Sequence, residues 1–405
     1  MKKFVTVLCD GMADYPDANG RTPMTEAKKP TMDGLCRSAT VGLVRTVEQG
    51  MKPGSDVCNL AALGYDPREC YTGRSPLEAL SMGIAMGAHD VSYRVNLVTL
   101  ASGDTLDARE MLDYSAGEIS TAEAAEIIKA LQPLFAEYGI ELYAGVSYRH
   151  AAIIRNGAAG NVELTPPHDI LGKRIGEYLP RGKASAVFNE IIAKSVKALA
   201  AHPINAKRKA DGRNPVTAVW FWGEGTKPRL DGFYEKYGKR GAMISAVDLL
   251  KGIGVASGMD VIDIPTATGT VDTDYEAKAA AAIAALDTHD FVFVHLEGPD
   301  ECGHQGDRAG KITAIERIDA RILKPVLDAL ERGGKPFAVT VMPDHATPLA
   351  VRTHTADPIP FLIFDSERKH DGAPTFDEHA AKSTGVTLDR GADVIETMFG
   401  IKGDK

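Results

Sequence analysis

Short, unbroken apolar runs alternate with long amphipathic stretches along this chain, and no other feature constrains its fold as much. The runs Phe4–Cys9, Phe291–Leu296 and Phe337–Met342 are hydrophobic at nearly every position. Strands read this way when both faces of a sheet are covered. Arg94–Leu100, Ala151–Arg155, Val216–Trp222 and Pro360–Phe364 are further strand candidates. Between them, Thr121–Tyr138 carries Ala, Glu, Ile and Leu at helical spacing. Lys311–Arg332 places Ile312, Ile315, Ile318, Ile322 and Val326 three or four residues apart, which is the period of a helix with one buried face. Strands alternating with helices predict an α/β fold with a doubly wound, mostly parallel sheet at its core.

Polar residues capable of chemistry follow three of these runs directly. Asp10 ends the first, Glu297-Gly298-Pro299-Asp300 follows Phe291–Leu296, and Pro343-Asp344-His345 follows Phe337–Met342. In an open α/β sheet the site lies beyond the carboxyl ends of the strands, so three strands are expected to deliver acids and a histidine to one edge. The middle of the chain has strands and helices of its own but none of these motifs. It reads as an inserted, smaller α/β domain at 86–214, with the core split into 1–85 and 215–405; the polar, turn-forming stretch Arg208–Pro215 suits a boundary.

Bulk properties exclude several classes of function. The formal charge of -9 and the absence of a long basic run argue against nucleic acid as a partner. The five cysteines (Cys9, Cys36, Cys58, Cys70 and Cys302) form no CxxC pair, and read as reduced, mostly buried thiols of a cytoplasmic protein. Met1-Lys2-Lys3 looks like the start of a signal peptide, but the apolar run behind it reaches only Cys9 before Asp10-Gly11. That is too short for a signal core or a membrane span. The expectation is a buried first strand and no membrane partner.

Asp300 and His304 stand four residues apart, a spacing that puts a carboxylate and an imidazole on one helical face. Asp344-His345, Asp10 and His354 extend the set to three carboxylates and three imidazoles. Mixed Asp/His sets suit Mn²⁺ or Zn²⁺, and Mg²⁺ where carboxylates dominate. Any one of these pairs alone reads more simply as a surface ion pair or a cap; their conjunction at strand ends favours metal. Ser55 follows Pro53-Gly54 and precedes an apolar stretch, as at a loop-to-helix turn. Alone it would be read as a helix cap. No GxSxG or Ser-His-Asp arrangement activates it, so a metal would have to do so.

Six segments in order, VLCDGM, PGSDVCNLAALGYDP, TGRSPLEA, EGPDECGHQGD, MPDHATP and THTADPIPF, resemble those of the cofactor-independent phosphoglycerate mutases, in particular the short archaeal-type branch of the alkaline phosphatase superfamily. The resemblance covers nearly the whole chain. It implies two divalent metal ions (Mn²⁺ first, with Mg²⁺, Co²⁺ or Zn²⁺ as alternatives), one held by Asp300, His304 and His354, the other by Asp10, Asp344, His345 and Ser55. It also implies that Ser55 is the nucleophile that takes the phosphoryl group, that the substrate is a small phosphorylated molecule, and that no 2,3-bisphosphoglycerate is needed.

An acidic protein that binds a multiply anionic substrate needs local positive charge. Arg21, Arg74, Arg94, Arg149, Arg155 and Arg308 lie in loops or at strand ends. Arg94 and Arg149 stand out, because each follows Ser-Tyr and opens an apolar strand. Lys239 and Arg240 are weaker candidates, and Trp220, Trp222, His150 and His168 read as structural. The resemblance departs at one place. Where archaeal phosphoglycerate mutases carry an arginine-rich DRRAGR-like segment, this chain reads Asp113-Tyr114-Ser115-Ala116-Gly117-Glu118. Close bacterial relatives with a DYSAG-type segment are proposed homoserine kinases, and Glu118 could receive the ammonium group of homoserine. A homoserine kinase-like phosphotransferase is therefore the alternative reading, with a plain metal-dependent phosphatase behind it.

Overall fold

The structure, a computed structural model, describes residues 1–401. The described residues divide into two compact units, one formed by residues 1–71 and 229–401, the other by 72–228. The chain lays down β1 (Lys3–Cys9) and β2 (Thr40–Val44) in the first unit. It then builds β3 (Val91–Leu100), β4 (Met111–Asp113), β5 (Ile140–Tyr143), β6 (Arg149–Ile154) and β7 (Ala218–Thr226) in the second. Back in the first unit it adds β8 (Gly241–Ile244), β9 (Asp260–Ile262), β10 (Phe291–Leu296), β11 (Phe337–Met342), β12 (Ile359–Asp365) and β13 (Thr387–Leu388).

The sheet of the first unit runs β13-β2-β12-β11-β1-β10-β8-β9. β1 lies at its centre, parallel to both β10 and β11, and only β12 opposes its neighbours. β1, β10 and β11 are buried along almost their whole length, which is why they read as unbroken apolar runs. The periodic stretch at 311–332 lies in a helical run over Arg308–Arg332 with one wide turn at Asp319–Leu323. Pro325 lies just after that turn; with no backbone N–H it cannot complete the regular ladder there. Ile315, Ile318, Ile322 and Val326 are fully buried against the sheet, while Ile312 is half-buried.

The second unit is an antiparallel sheet in which β3 pairs with β4, β6 and β7 and β5 pairs with β6. Helices Thr121–Ala136 and Ser185–Ala200 bury Ile127, Ile128, Leu131, Phe188, Ile191 and Ile192 in its core. The boundaries expected at 86 and 214 are corrected to 72 and 228. Helix Arg74–Ser81 packs on β3 and β7, and β7 is hydrogen-bonded along β3, so both elements belong to the second unit. Among the described residues, no helix is long and apolar enough to cross a membrane.

Candidate active site

β1, β10 and β11 end side by side, and each hands its polar residue to the same edge. Asp10 follows Cys9 directly, Asp300 sits in the first turn of helix Gly298–Gln305, and Asp344-His345 follow Met342. Gly11 makes the junction feasible. It has φ +61°, and a Cβ there would lie 2.6 Å from Asp300 Oδ1 and 2.7 Å from its Cα, so any side chain would push the end of β1 off the Asp300 turn. Ser55 opens helix Ser55–Ala62 behind Gly54, as the sequence predicts, with no side-chain cap at that end. Asp10, Asp300, Asp344 and His345 are buried.

Two knots of ligand-type atoms result. In one, His304 Nε2 lies 3.2 Å from Asp300 Oδ2 and 3.0 Å from His354 Nε2, and His354 Nε2 lies 3.5 Å from Asp300 Oδ1. In the other, His345 Nε2 lies 3.4 Å from Asp10 Oδ1, 3.4 Å from Asp344 Oδ2 and 3.2 Å from Ser55 Oγ. The His345 and His354 rings, 4.0 Å apart between centroids, join the two. All seven residues read as metal-ligating from the sequence therefore converge. Asp300, His345 and His354 form one set able to hold an ion; Asp10, Asp344 and His345 form another.

The chemistry of these donors fits cations. His304 Nδ1 faces the Arg352 carbonyl at 3.0 Å; that contact needs a proton on Nδ1 and leaves the neutral ring with a lone pair on Nε2. Ligand atoms about 2.1 Å from a tetrahedral ion lie ~3.4 Å from one another, which is the spacing seen here. Asp10 Oδ1 is buried and has no hydrogen-bond partner. Burial, with Asp344 and Asp300 nearby, pushes the Asp10 carboxyl well above its ordinary range, the direction expected where carboxylates are crowded together out of water. Burial opposes ionisation of Asp300 too, but hydrogen bonds from His304 and His354 hold it far below the usual value. The same hydrogen bond raises His304 to about 9.

Sequence reasoning missed the residues that hold these side chains. Asn59 donates through Nδ2 to both Ser55 O and Asp344 Oδ2, each at 2.8 Å, tying the serine's helix to the Asp344 carboxylate. Its place one turn after Ser55 was the available signal. The Thr347 hydroxyl donates to Asp300 Oδ1 and lies 3.2 Å from His345 Nδ1. His295 Nε2 lies 2.8 Å from Asp10 Oδ2; a histidine inside an apolar strand offered no spacing to flag it.

The second unit holds the other predicted residues. Arg94 is buried: it donates from Nη1 to Glu78 Oε1 at 2.9 Å, lies 4.3 Å over the Trp222 ring, and leaves Nε without a partner. Arg74 shares the same Glu78 oxygen at 2.8 Å. Arg149 is exposed, over the ring of Tyr148. Glu118 is exposed in the turn Ala116-Gly117-Glu118, where all three residues have positive φ. Asp113 accepts hydrogen bonds from the Ser115 and Gly117 backbone to hold that turn, and Arg208 donates to the Ala116 carbonyl. Trp220 and His150 are buried as expected, whereas Trp222 is half-buried beneath Arg94.

The substrate role expected for Lys239 is overturned. Its ammonium lies over the rings of Phe4 and Phe399, at 5.1 and 5.0 Å. It precedes β8, a strand parallel to β10, and so stands at the amino end of the sheet, opposite the edge that carries Asp10 and Asp344. Of the weaker arginines, Arg21 and Arg308 pair with Asp17 and Glu26, and Arg155 pairs with Asp90 and Glu141.

Known proteins resemble this chain over nearly its whole length. A family model described as 2,3-bisphosphoglycerate-independent phosphoglycerate mutase matches residues 36–205. The chain is 46% identical over 396 residues to the protein of that name from Methanosarcina acetivorans, covering 97% of this chain and 98% of the relative. It is 46% identical over 400 residues to a probable one from Geobacter sulfurreducens, covering 98% and 99%. A Pyrococcus horikoshii protein of solved structure superposes with a TM-score of 0.82 at 28% identity, covering 100% of this chain and 99% of its own. The cofactor-independent phosphoglycerate mutase from Thermoplasma acidophilum superposes at 0.68 and 23% identity, with both chains fully covered, and so shows the shared fold.

Proposed function

The chain belongs to the 2,3-bisphosphoglycerate-independent phosphoglycerate mutase family, and from that premise we propose that it interconverts 3-phosphoglycerate and 2-phosphoglycerate through a phosphoserine at Ser55. The observation that carries the mechanism is the position of Ser55 Oγ, 3.2 Å from His345 Nε2 in the knot that also holds Asp10 and Asp344. Asp300, His304 and His354 would hold one divalent ion, and Asp10, Asp344, His345 and Ser55 the other. Mn²⁺ is the expected species for this mixed donor set. When bound, such ions lower the pKa of the serine hydroxyl and offset the charge on the phosphoryl oxygens.

In the forward direction Ser55 Oγ attacks phosphorus, and the bond from phosphorus to the 3-oxygen of glycerate breaks. That oxygen takes up a proton as the seryl proton is lost. Glycerate stays bound and turns. Its 2-oxygen then attacks the phosphoserine, the Oγ–P bond breaks, and Ser55 recovers its proton. Every phosphoryl group that leaves comes from substrate, so no second phosphate donor is consumed. A phosphoryl group on Ser55 would sit at the start of helix Ser55–Ala62, the end of a helix that favours negative charge. Arg94, Arg149 and Arg74 are the groups proposed for the carboxylate of glycerate. A guanidinium matches a carboxylate with two parallel hydrogen bonds, and buried Arg94 has a donor to spare.

One observation favours a second reading. The turn at Asp113–Glu118 presents Tyr114 and an exposed Glu118, a surface suited to an ammonium-bearing acceptor such as homoserine. Phosphorus-31 NMR decides between the two. Metal-loaded protein given 3-phosphoglycerate should form 2-phosphoglycerate with no added bisphosphate. No mutase turnover with Mn²⁺, Co²⁺ or Mg²⁺, together with phosphorylation of homoserine by ATP, would establish the kinase.

A further inference from the structure

His295 is the only polar residue among the six of β10, and it is fully buried. Every polar atom it offers is engaged. Nε2 lies 2.8 Å from Asp10 Oδ2, and Nδ1 lies 3.1 Å from Ser245 Oγ. Ser245, just beyond the end of β8, accepts the Val247 N–H at 3.0 Å, which leaves its own hydroxyl proton to give. The His295 carbonyl takes a hydrogen bond from buried Lys278 at 3.1 Å.

With a cation on Asp10, these contacts fix the tautomer. A carboxylate that binds a cation is ionised and can only accept, so Nε2 must carry the ring proton. The neutral ring then has its lone pair on Nδ1, where the Ser245 hydroxyl donates. The chain Val247 N–H, Ser245 O–H, His295 Nε2–H and Asp10 Oδ2 runs in one direction with each donor matched to an acceptor. The two oxygens of Asp10 are thereby divided: Oδ2 is held by His295, while Oδ1 is buried, without a hydrogen-bond partner, and 3.4 Å from His345 Nε2. The register of β1 and β10 keeps the arrangement rigid, because Leu8 and Cys9 pair with His295 and Leu296.

We infer that His295 is a positioning residue: with Ser245 behind it, it clamps Asp10 Oδ2 so that Oδ1 alone is presented to the ion that Asp10, Asp344, His345 and Ser55 would share. The inference rests on the two-ion reading above. It assigns His295 no proton transfer and no contact with substrate. Partners that orient a ligand group in this way are worth about 10–100-fold in metal affinity when removed.

The test titrates metal-stripped wild type, His295→Gln, His295→Leu and Ser245→Ala with Mn²⁺, following free Mn²⁺ by electron paramagnetic resonance, with circular dichroism as a check on folding. Gln places an N–H where His Nε2 stands, and Leu fills the volume without a donor. His295→Leu should weaken one of two Mn²⁺ sites by about 10–100-fold, and His295→Gln should recover most of that loss. Ser245→Ala, which frees the tautomer but keeps the ring, should show a smaller loss at the same site. If His295→Leu does not fold, the Gln and Ala variants still decide. Wild-type affinity at both sites in His295→Leu, or losses no smaller in His295→Gln than in His295→Leu, would overturn the clamp, and so would unchanged affinity in Ser245→Ala when His295→Leu cannot be measured. A wild type that binds fewer than two Mn²⁺ would instead overturn the two-ion reading itself.

Discussion

Replacing Lys311 should damage this protein more than replacing any exposed lysine, and the size of the effect follows from its contacts. Its side chain is fully buried, and its ammonium makes three hydrogen bonds: to Asp14 Oδ2 at 2.8 Å, to Thr347 O at 2.9 Å and to Ala13 O at 3.2 Å. The residues it joins come from the segments that follow β1 and β11, the strands that deliver Asp10 and Asp344-His345. Lys311→Met keeps the length of the stem and removes the charge. The Asp14 carboxylate, 3% exposed, is then left without its cation, and two carbonyls lose a donor. Breaking a buried pair from one side costs about 3–5 kcal/mol. At roughly 2–4 °C per kcal/mol for a unit of this size, the melting temperature should fall by ~6–20 °C. Urea unfolding of metal-free protein, so that metal affinity does not enter, gives the number directly. Adding Asp14→Asn should recover at least half of the loss, because the stranded charge is gone. A Lys311→Met variant within about 1 kcal/mol of wild type would refute the argument, since it would mean that the pair contributes no more than an exposed one.

Three further outcomes are expected. Ser55→Ala should lose mutase turnover by at least ~10³-fold while keeping divalent ions on the remaining ligands; retained turnover, read by enolase-coupled absorbance, would remove Ser55 as nucleophile. In metal-free protein Asp300 raises His304 from 6.5 to about 9, so the stabilisation from that pair is full below pH 6.5 and is lost as pH rises through 9. Because the ring must shed that proton to coordinate, Mn²⁺ affinity at its site should rise by up to ~10-fold per pH unit from 7 and level off near 9; a flat titration over that range contradicts the Asp300–His304 pairing. Glu118→Arg should leave mutase turnover equal or higher, since Glu118 is exposed. A fall beyond about tenfold in homoserine phosphorylation, with mutase activity absent, would place the acceptor's ammonium at Glu118 instead.

What the sequence made legible follows the physics of each feature. β1, β10 and β11 are buried on both faces, so they left apolar runs, and the acids after them marked the sheet edge. Asp300 and His304 were readable because four residues is a helical turn. The domain boundary was not, because helix Arg74–Ser81 would look the same whichever unit it packed on; only its contacts with β3 and β7 assign it. The Lys239 error has a related origin. β8 spans only Gly241–Ile244, too short to be recognised as a strand, and without that strand nothing told which end of the sheet Lys239 occupies. Asn59 and His295 escaped notice because polar residues in apolar elements gain meaning only from what they face.

Charge explains why the residues around the proposed ligands are of these kinds. Asp10, Asp300 and Asp344 with an ionised Ser55 would carry four negative charges, the amount that two divalent ions neutralise. Each side chain that orients a carboxylate of this set from outside it is neutral: His295 on Asp10, Asn59 on Asp344 and Thr347 on Asp300. Burial pushes His295 down to about 3, so it adds no charge of its own. The buried cations stand one step back. Lys311 is tied to Asp14, and Lys278, lowered by burial to about 8 and partly offset by the charge of Glu297, donates to the His295 carbonyl. A lysine placed directly on Asp10 or Asp344 would satisfy the carboxylate permanently and compete with the ion. Replacing Asn59 by lysine should therefore abolish Mn²⁺ binding at the Asp10–Asp344 site even if the fold survives, whereas Asn59→Ser, neutral but too short to reach, should weaken it by no more than the ~10–100-fold of a lost orienting contact. Equal losses in the two variants, measured by Mn²⁺ titration, would show that geometry rather than charge governs the choice of a neutral neighbour.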